Sequence, residues 1–338
     1  MLPRFLALVA TAVAVPALAV ACAPVPAGEG ELVLYSGRSE SLMQPLIDAF
    51  ETQSGIEVEV RYGNTPEMAA LLLEEGQNSR AEVFLSQDAG ALGALSDAGL
   101  FAPLPDGLGA TVPDGLTSTD GSWLGVTGRA RVIVYDGQLL DGVDVPTSVD
   151  ALTEPEWRGR FGIAPGNASF QAFVTAYRVL KGEHAAERWV AGIVANDPQI
   201  FDNNAAILTA VNDGVLDVGL INHYYWFRLA AEIGADAMRA QLGFPEVGDP
   251  GSIVNVTGAG ILARGTVDGD AEAFLEYLVS PEGQAYFVDE VHEYPLVPGV
   301  AAPEGLPTLE SLVTSDFDLS DLASLARTQE MLAEYGLV

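Results

Sequence analysis

Short strand-like and helix-like segments alternate along the chain from Glu31 onward, and this alternation restricts the fold more than any single motif. ELVLYSG (31–37) and IEVEVRY (56–62) are rich in β-branched and apolar residues, and apolar residues at helical spacing lie between them. A third strand-like run, AEVFLS (81–86), follows a helical segment that starts with a cap residue and a proline at Thr65-Pro66. Strands that alternate with helices in this way predict a parallel sheet with helices on its faces.

Two longer β-runs interrupt the alternation, and they suggest how the chain is divided. WLGVTGRARVIVYD (123–136) and GSIVNVTGAGILA (251–263) enclose a second α/β unit. A chain that passes twice between two α/β units needs two such connections, so we predict an α/β fold of two lobes joined by β-strand hinges. The predicted bounds are lobe one at 31–127 plus 258–338 and lobe two at 128–257.

The first 21 residues are typical of a signal peptide. Arg4 precedes an apolar run that Pro16 interrupts, and small residues follow the run in place of a basic cluster. A membrane anchor, the alternative, needs roughly 20 uninterrupted apolar residues. We therefore predict a signal peptide over 1–21, a tether over 22–30 and an extracytoplasmic mature protein.

Cys22 is the only cysteine of the chain. The segment Leu18–Cys22 resembles a bacterial lipobox, which predicts attachment of a lipid to Cys22 and, for the mature protein, contact with the membrane only through that lipid. A plain small-residue cleavage site is the alternative. A single cysteine leaves no partner for an internal disulfide.

Charge and missing motifs exclude several classes of function. The chain has 47 acidic and 15 basic residues, a net charge of −32, whereas a nucleic-acid binder needs a basic surface. The sequence contains no nucleophile elbow, phosphate-binding loop or zinc-protease motif. A hydrolase that uses Ser39 or Ser169 is the weakest alternative, because no histidine–acid pair accompanies either serine. We therefore expect a binding protein rather than an enzyme.

The segment INHYYWFRL (221–229) places two phenols directly after a predicted strand. Ligands of open α/β sheets bind outside the carboxyl ends of the strands. Consecutive residues of a strand point to opposite faces, so Tyr224 and Tyr225 share a ligand only if a turn into a helix brings their rings together. The alternative is an ordinary aromatic cluster at the start of a helix.

Eight segments, in the same order and over nearly the whole mature chain, resemble the ferric-iron-binding, substrate-binding proteins of bacterial ABC transporters. They are LYSGRSE (34–40), IEVEVRYG (56–63), EEGQNSRAEVFLSQDAGAL (74–92), GRARVIVYD (128–136), EPEWRGRFGIAPGNASFQAF (154–173), NDGVLDVGLINHYYW (212–226), TGAGIL (257–262) and EYPLVPGV (293–300). The resemblance implies the bilobal, type II periplasmic-binding-protein fold. It also implies Fe(III) as the transported ligand, an ABC permease and its ATPase as partners, and a monomer.

By the same resemblance, Tyr224 and Tyr225 are the metal ligands. Fe(III) prefers anionic oxygen donors, and a strong cation ionises a phenol whose ordinary pKa is about 10. The sequence departs from the family elsewhere: Ser39 and Gln87 stand where one branch has a histidine and a glutamate, and Asn167 stands where another branch has a third tyrosine. The remaining coordination positions are therefore expected to belong to an anion, water or a chelator.

The expected anion is carbonate, phosphate or a similar species. The resemblance places it at the helix start formed by Asn167, Ala168 and Ser169, where a helix dipole favours negative charge, with Asn204 and Asn222 as second contacts. Arg38, Arg129 and Arg131 are further candidates, because a guanidinium fork holds an oxyanion; helix capping and ion pairing are the alternatives. The runner-up function keeps the fold but binds a small organic or inorganic anion, or a polyamine, without metal, and Ser39 and Gln87 favour it.

Overall fold

A computed structural model describes residues 31–113, 115–140, 144–263, 269–312 and 319–338. The predicted signal peptide, the tether and Cys22 lie outside the described residues. Among the residues described, none of the helices combines the length and the apolar character that a membrane crossing needs.

The described elements alternate much as the sequence predicts. The strands are β1 (Glu31–Ser36), β2 (Glu57–Tyr62), β3 (Val83–Ser86), β4 (Leu124–Asp136), β5 (Phe161–Ile163), β6 (Gln199–Ile200), β7 (Val218–Asn222), β8 (Ala240–Gly243), β9 (Val254–Ile261) and β10 (Tyr294–Pro295). The α-helices are α1 (Glu40–Ser54), α2 (Thr65–Glu75), α3 (Ala89–Asp97), α4 (Ala168–Lys181), α5 (Glu183–Ala195), α6 (Asn204–Asn212), α7 (Tyr224–Ile233), α8 (Gly269–Leu278), α9 (Pro281–Tyr286) and α10 (Leu325–Glu334). Short 3-10 turns connect several of them, and a π-helical turn covers Phe287–Val291.

The first three strands form the predicted parallel sheet, with β1 between β2 and β3. The strand order is β2-β1-β3-β9-β4-β7-β5-β6, and β8 and β10 also pair with β4. Both long β-runs are antiparallel to their neighbours in the first part of the sheet, where β9 lies between β3 and β4. The carboxyl ends of β1, β3 and β7 carry the segments that the sequence singles out as ligand-binding.

The long strand β4 connects the two parts of the sheet. Its first part, as far as Ala130, pairs with β9, whereas the part from Arg131 onward pairs with β7 and β8. The strand therefore changes partners between Ala130 and Arg131. We call this position the crossover.

Apolar side chains form separate cores on the two sides of the crossover. The first core contains Phe84, Trp123, Phe274, Phe287 and Val291, among others. The second core is made by two clusters, one around Phe170, Phe173 and Trp189 and one around Val132, Ile207 and Ile221.

The C-terminal helix differs from the predicted division of the chain. That division assigns all of residues 258–338 to lobe one, yet Met331 and Leu332 of α10 are buried in the second core. Thr328 at the same time bonds Thr175 of α4 at 2.7 Å. Apolar side chains at the tail of the chain bury themselves wherever a complementary surface lies, and sequence position does not reveal that surface. The other lobe bounds stay a prediction.

Candidate metal centre

The two tyrosines lie where β7 ends and α7 begins. His223 already has helical backbone angles, φ −58° and ψ −39°, so Tyr224 and Tyr225 occupy the first turn of the helix. Consecutive helical residues are separated by roughly 100° around the axis rather than pointing to opposite faces. The two rings stack, with centroids 4.4 Å apart and planes 27° apart. The phenols therefore converge on one side of the helix.

Each phenol affects the chemistry of the other. The charge of Tyr224, then burial, then a hydrogen bond with Tyr224 raise the pKa of Tyr225 above its ordinary value of 10, and the positive charges of Arg38 and Arg129 offset this only in part. Tyr224 itself is 2% exposed. Tyr225 keeps its proton at neutral pH until a strong cation displaces it. The arrangement is thus one that a multivalent cation can convert into a pair of anionic ligands.

Arg38 lies beside this pair, at the carboxyl end of β1. The Cζ atom of Arg38 is 5.9 Å from the centroid of the Tyr224 ring, within the range of a cation–π contact. Its Nη1 donates to Thr257 Oγ1 at 2.7 Å and its Nη2 donates to Glu293 Oε1 at 2.7 Å. The guanidinium is thus next to the predicted ligands, but two of its nitrogens already have partners within the protein.

Arg129 has buried donors that lack partners. Its Nη2 donates to the Val256 carbonyl at 3.3 Å, but Nε and Nη1 have no hydrogen-bond partner within the described ranges. The Nδ2 of Asn255, the residue opposite Arg129 on β9, is unpaired in the same sense. Leaving a buried donor unpaired costs roughly 1–3 kcal/mol. An oxyanion would satisfy donors of this kind.

Arg131 and the start of α4 form one polar cluster. Arg131 Nη1 donates to Ser169 Oγ at 3.1 Å, Asn204 Oδ1 at 3.4 Å and Asn222 Oδ1 at 3.5 Å. Its Nε has no partner among the described residues, and burial lowers the pKa of its guanidinium to about 9. The structure thus brings together residues that the sequence analysis groups around an anion.

At the start of α4, some of the hydrogen-bond donors already have an acceptor within the protein. Asn167 caps the helix: its Oδ1 accepts from the Ser169 N–H at 3.0 Å, the Ser169 hydroxyl at 2.7 Å and Asn204 Nδ2 at 3.2 Å. Ala168, the first residue of α4, is half-buried. At the predicted anion position, the polar side chains are therefore already hydrogen-bonded to one another. The unpaired donors belong instead to Arg129, Arg131 and Asn255.

Ser39 and Gln87, two of the three positions that depart from the family pattern, follow the neighbouring strands β1 and β3. Ser39 is exposed before α1, and its hydroxyl is 3.4 Å from that of Ser41. Gln87 is half-buried, and its backbone N–H donates to Thr65 Oγ1 at 2.9 Å. Over the ranges that the structure describes, no three His, Cys, Asp or Glu side chains come together as a metal site.

His223 does not contribute a free ligand atom. Its Nδ1 accepts from the Ala130 N–H at 3.1 Å, and its Nε2 lies 2.8 Å from the His292 carbonyl oxygen, to which it donates. Burial lowers the pKa of His223 to about 4, so the ring is neutral at pH 7. Both ring nitrogens of His223 are therefore engaged within the protein, and neither is available to a metal.

Sequence reasoning misses the acidic and polar partners of the arginines. Glu293 is fully buried and accepts from Arg38, from Thr127 and, at 3.4 Å, from Thr257. The sequence does contain a pattern that could have indicated the polar partners: polar residues alternate with apolar ones within β4 and β9, and so share one face of the sheet. In the paired register, Thr127 lies opposite Thr257 and Arg129 opposite Asn255.

Comparison with known proteins places these features in a family. Residues 78–317 match the family described as bacterial extracellular solute-binding protein. The chain is 32% identical over 308 residues to the Fe(3+)-binding periplasmic protein of Serratia marcescens. The alignment covers 91% of this chain and 90% of that protein.

Solved structures resemble the fold closely. Iron-bound HitA from Pseudomonas aeruginosa matches with a TM-score of 0.86 and 32% identity, over 91% of this chain and 99% of that one. A Trichodesmium protein, IdiA or FutA in complex with iron and citrate ligands, matches with a TM-score of 0.78 and 30% identity, over 91% of this chain and 100% of that one.

Proposed function

This chain belongs to the bacterial extracellular solute-binding proteins, and from that premise we propose that it captures ferric iron together with a small anion between its two halves. The expected bilobal, type II periplasmic-binding-protein fold is confirmed, because solved members of that fold match 91% of this chain. As a member of a solute-binding family, the chain is proposed to bind and deliver its ligand without converting it.

The observation that carries the proposal is the stacked phenol pair beside buried guanidinium groups. Tyr224 and Tyr225 offer two oxygens that become anionic when Fe(III) displaces their protons. The positive charges of Arg38 and Arg129 offset part of the rise in the pKa of Tyr225 and so favour the ionised form that a metal requires. Two neighbouring phenolates leave most of the coordination shell of the metal to other donors.

The accompanying anion is proposed to contact Arg129 and Arg131. Their unpaired Nε atoms, Nη1 of Arg129 and Nδ2 of Asn255 are donors without acceptors among the described residues. Carbonate, phosphate and the carboxylates of citrate all present oxygens that accept hydrogen bonds from such donors. Because Ser39 and Gln87 replace stronger ligands, an anion that also coordinates iron suits this centre, whether it arrives free or as part of an iron chelate.

Ferric loading of metal-stripped protein tests the proposal. We expect Fe(III) supplied as its citrate complex to bind at one ion per chain and to give the protein a visible colour, because electrons move from phenolate to iron on excitation. Metal analysis and absorbance spectra measure both. Calorimetry with citrate, phosphate and a polyamine, each without iron, supplies the control. A colourless protein that binds one of these iron-free compounds tightly would favour the runner-up function, which Ser39 and Gln87 motivate.

Capture is proposed to involve closure of two lobes about β4 and β9. A ligand stabilises a closed state only through contacts that the open state lacks. Tyr224 and Arg131 lie on the side of the second core, whereas Arg38 lies on the side of the first core. Apart from α10, we propose for the two lobes the bounds predicted from the sequence, 31–127 plus 258–338 and 128–257. The closed, monomeric protein would then deliver iron to an ABC permease driven by its ATPase.

Anchoring through Cys22 is a further part of the proposal. Mass spectrometry of the mature protein from its native membrane is expected to find Cys22 as the first residue, carrying acyl chains. A Cys22→Ala variant should then appear in the soluble fraction. An unmodified N-terminus elsewhere would show that the protein is freely secreted, and this outcome would leave ferric binding unaffected.

A further inference from the structure

His223 is hydrogen-bonded to the crossover of β4. Its backbone N–H donates to the Ala130 carbonyl at 3.1 Å, and its Nδ1 accepts from the Ala130 N–H at 3.1 Å. Ala130 is the last β4 residue paired with β9, and Arg131 is the first paired with β7. The imidazole is therefore hydrogen-bonded to the β4 backbone at the crossover, where the strand changes partners.

The opposite edge of the same ring bonds a segment that is anchored in the first core. Nε2 lies 2.8 Å from the carbonyl oxygen of His292, and because Nδ1 is an acceptor, Nε2 carries the proton and donates. His292 directly follows the π-helical turn whose Phe287 and Val291 are buried in the first core. One side chain thus joins the end of β7, on the second core, to a segment anchored in the first.

The backbone at His292, whose carbonyl accepts this bond, has a strained conformation. Its φ of 59° and ψ of 33° lie in the left-handed region, which costs a non-glycine residue roughly 1–2 kcal/mol. The surrounding structure must hold such a conformation, and residues of this kind are concentrated at functional positions. Here it accompanies a carbonyl that accepts from His223.

His223 also precedes Tyr224 in the chain and contacts it. The two rings meet edge to face with centroids 6.0 Å apart, and Arg38 approaches the same tyrosine with its Cζ 5.9 Å from the ring centroid. A rotation of His223 would therefore move Tyr224 relative to Arg38.

We propose that His223 is a positioning residue, whose hydrogen bond to the His292 carbonyl sets the angle between the two cores and so holds Tyr224 beside Arg38. The link to iron rests on the proposed function of Tyr224. The effect of His223 on the angle between the two cores does not depend on iron binding, because it is a property of the ligand-free protein.

Two substitutions separate the bonds of the imidazole. The amide nitrogen of glutamine reaches roughly as far as Nε2, so His223→Gln keeps a donor for His292 and loses the acceptor for Ala130. The amide of asparagine reaches roughly as far as Nδ1, so His223→Asn keeps the Ala130 acceptor and loses the bond between the cores. The two variants exchange one hydrogen bond for the other in the same buried place.

We expect His223→Asn to increase the radius of gyration of the ligand-free protein in solution X-ray scattering and to weaken ferric binding about tenfold, the effect of one lost hydrogen bond. His223→Gln should match the parent in scattering and stay within about threefold in affinity. Thermal unfolding shows whether each variant is folded.

Equal behaviour of the two variants, whether both match the parent or both are impaired alike, would overturn the proposal. It would also be wrong if glutamine were the more damaging change, since the Ala130 bond would then matter more. A folded glutamine variant beside an unfolded asparagine variant would make the bond a folding requirement and contradict a positioning role. Failure of every protein to bind iron would refute the proposed function, while scattering would still decide the role of His223.

Discussion

Replacing both Tyr224 and Tyr225 with phenylalanine is expected to abolish the colour of the ferric protein and to weaken ferric binding by more than about 1000-fold. This is a lower bound. If each phenolate contributed only as much as a hydrogen bond to a charged group, roughly 2 kcal/mol, the pair would contribute roughly 4 kcal/mol, or a factor of about 1000. Absorbance titration and competition against a chelator measure the two effects. Each single variant should retain a weaker band.

A second double variant controls for the loss of phenols in general. Tyr177 packs on Trp189 in the second core and Tyr277 packs on Phe50 in the first, and both rings are buried. Tyr177→Phe combined with Tyr277→Phe should leave the colour and the affinity unchanged within about twofold, although the lost Tyr177–Asp150 hydrogen bond lowers stability. If the Tyr224 and Tyr225 variant still formed coloured ferric protein, the ligand assignment would be wrong.

Local pattern accounts for the features that the sequence does predict. β1, β2 and β3 alternate with helices because β-branched runs and helical apolar spacing follow one another within short distances along the chain. The two long β-runs could be recognised for the same reason. The tyrosine pair was recognisable because two adjacent phenols follow a predicted strand, and a helix that begins at Tyr224 gives both rings a common side.

Long-range pairing accounts for the features that the sequence does not predict. Arg38 and Glu293 are separated by 255 positions, and only the completed sheet brings them together. The same is true of Thr127 and Glu293, which β10 places next to each other by pairing with β4. The sequence predicts which face of a strand a residue lies on, but not which distant residue it contacts. A single arginine is therefore equally compatible with an anion contact and with an ion pair.

The second prediction with a large expected effect concerns the buried ion pair between Arg38 and Glu293. Both side chains are almost wholly inaccessible, and the nitrogen–oxygen distance is 2.7 Å. Replacing Glu293 with glutamine would leave a buried guanidinium without its counter-charge, and breaking such a pair costs roughly 3–5 kcal/mol. We therefore expect Glu293→Gln to lower the free energy of unfolding by about 3 kcal/mol and the melting temperature by roughly 5–10 °C. Urea and thermal unfolding of ligand-free protein measure this.

The pH dependence has a definite sign. Burial alone would raise the pKa of Glu293, but the charges of Arg38 and Arg129 and hydrogen bonds from Thr127 and Arg38 hold it below its ordinary value of 4.5. A carboxylate whose pKa is lower in the folded state stabilises that state fully above the unfolded pKa, and this contribution is lost as the pH falls through the folded pKa. The stability difference between the parent and Glu293→Gln should therefore be constant near neutral pH and shrink below about pH 4.5.

An exposed ion pair of equal length provides the matched control. Arg80 and Glu59 also approach to 2.7 Å, but their side chains are 67% and 45% exposed. Solvent screens such a pair, so Glu59→Gln should change the free energy of unfolding by less than about 1 kcal/mol, and the change should diminish with added salt. Burial, rather than distance, thus decides which glutamate stabilises the protein. Equal losses in the two variants would contradict this account, because Glu293 would then contribute no more than a surface charge.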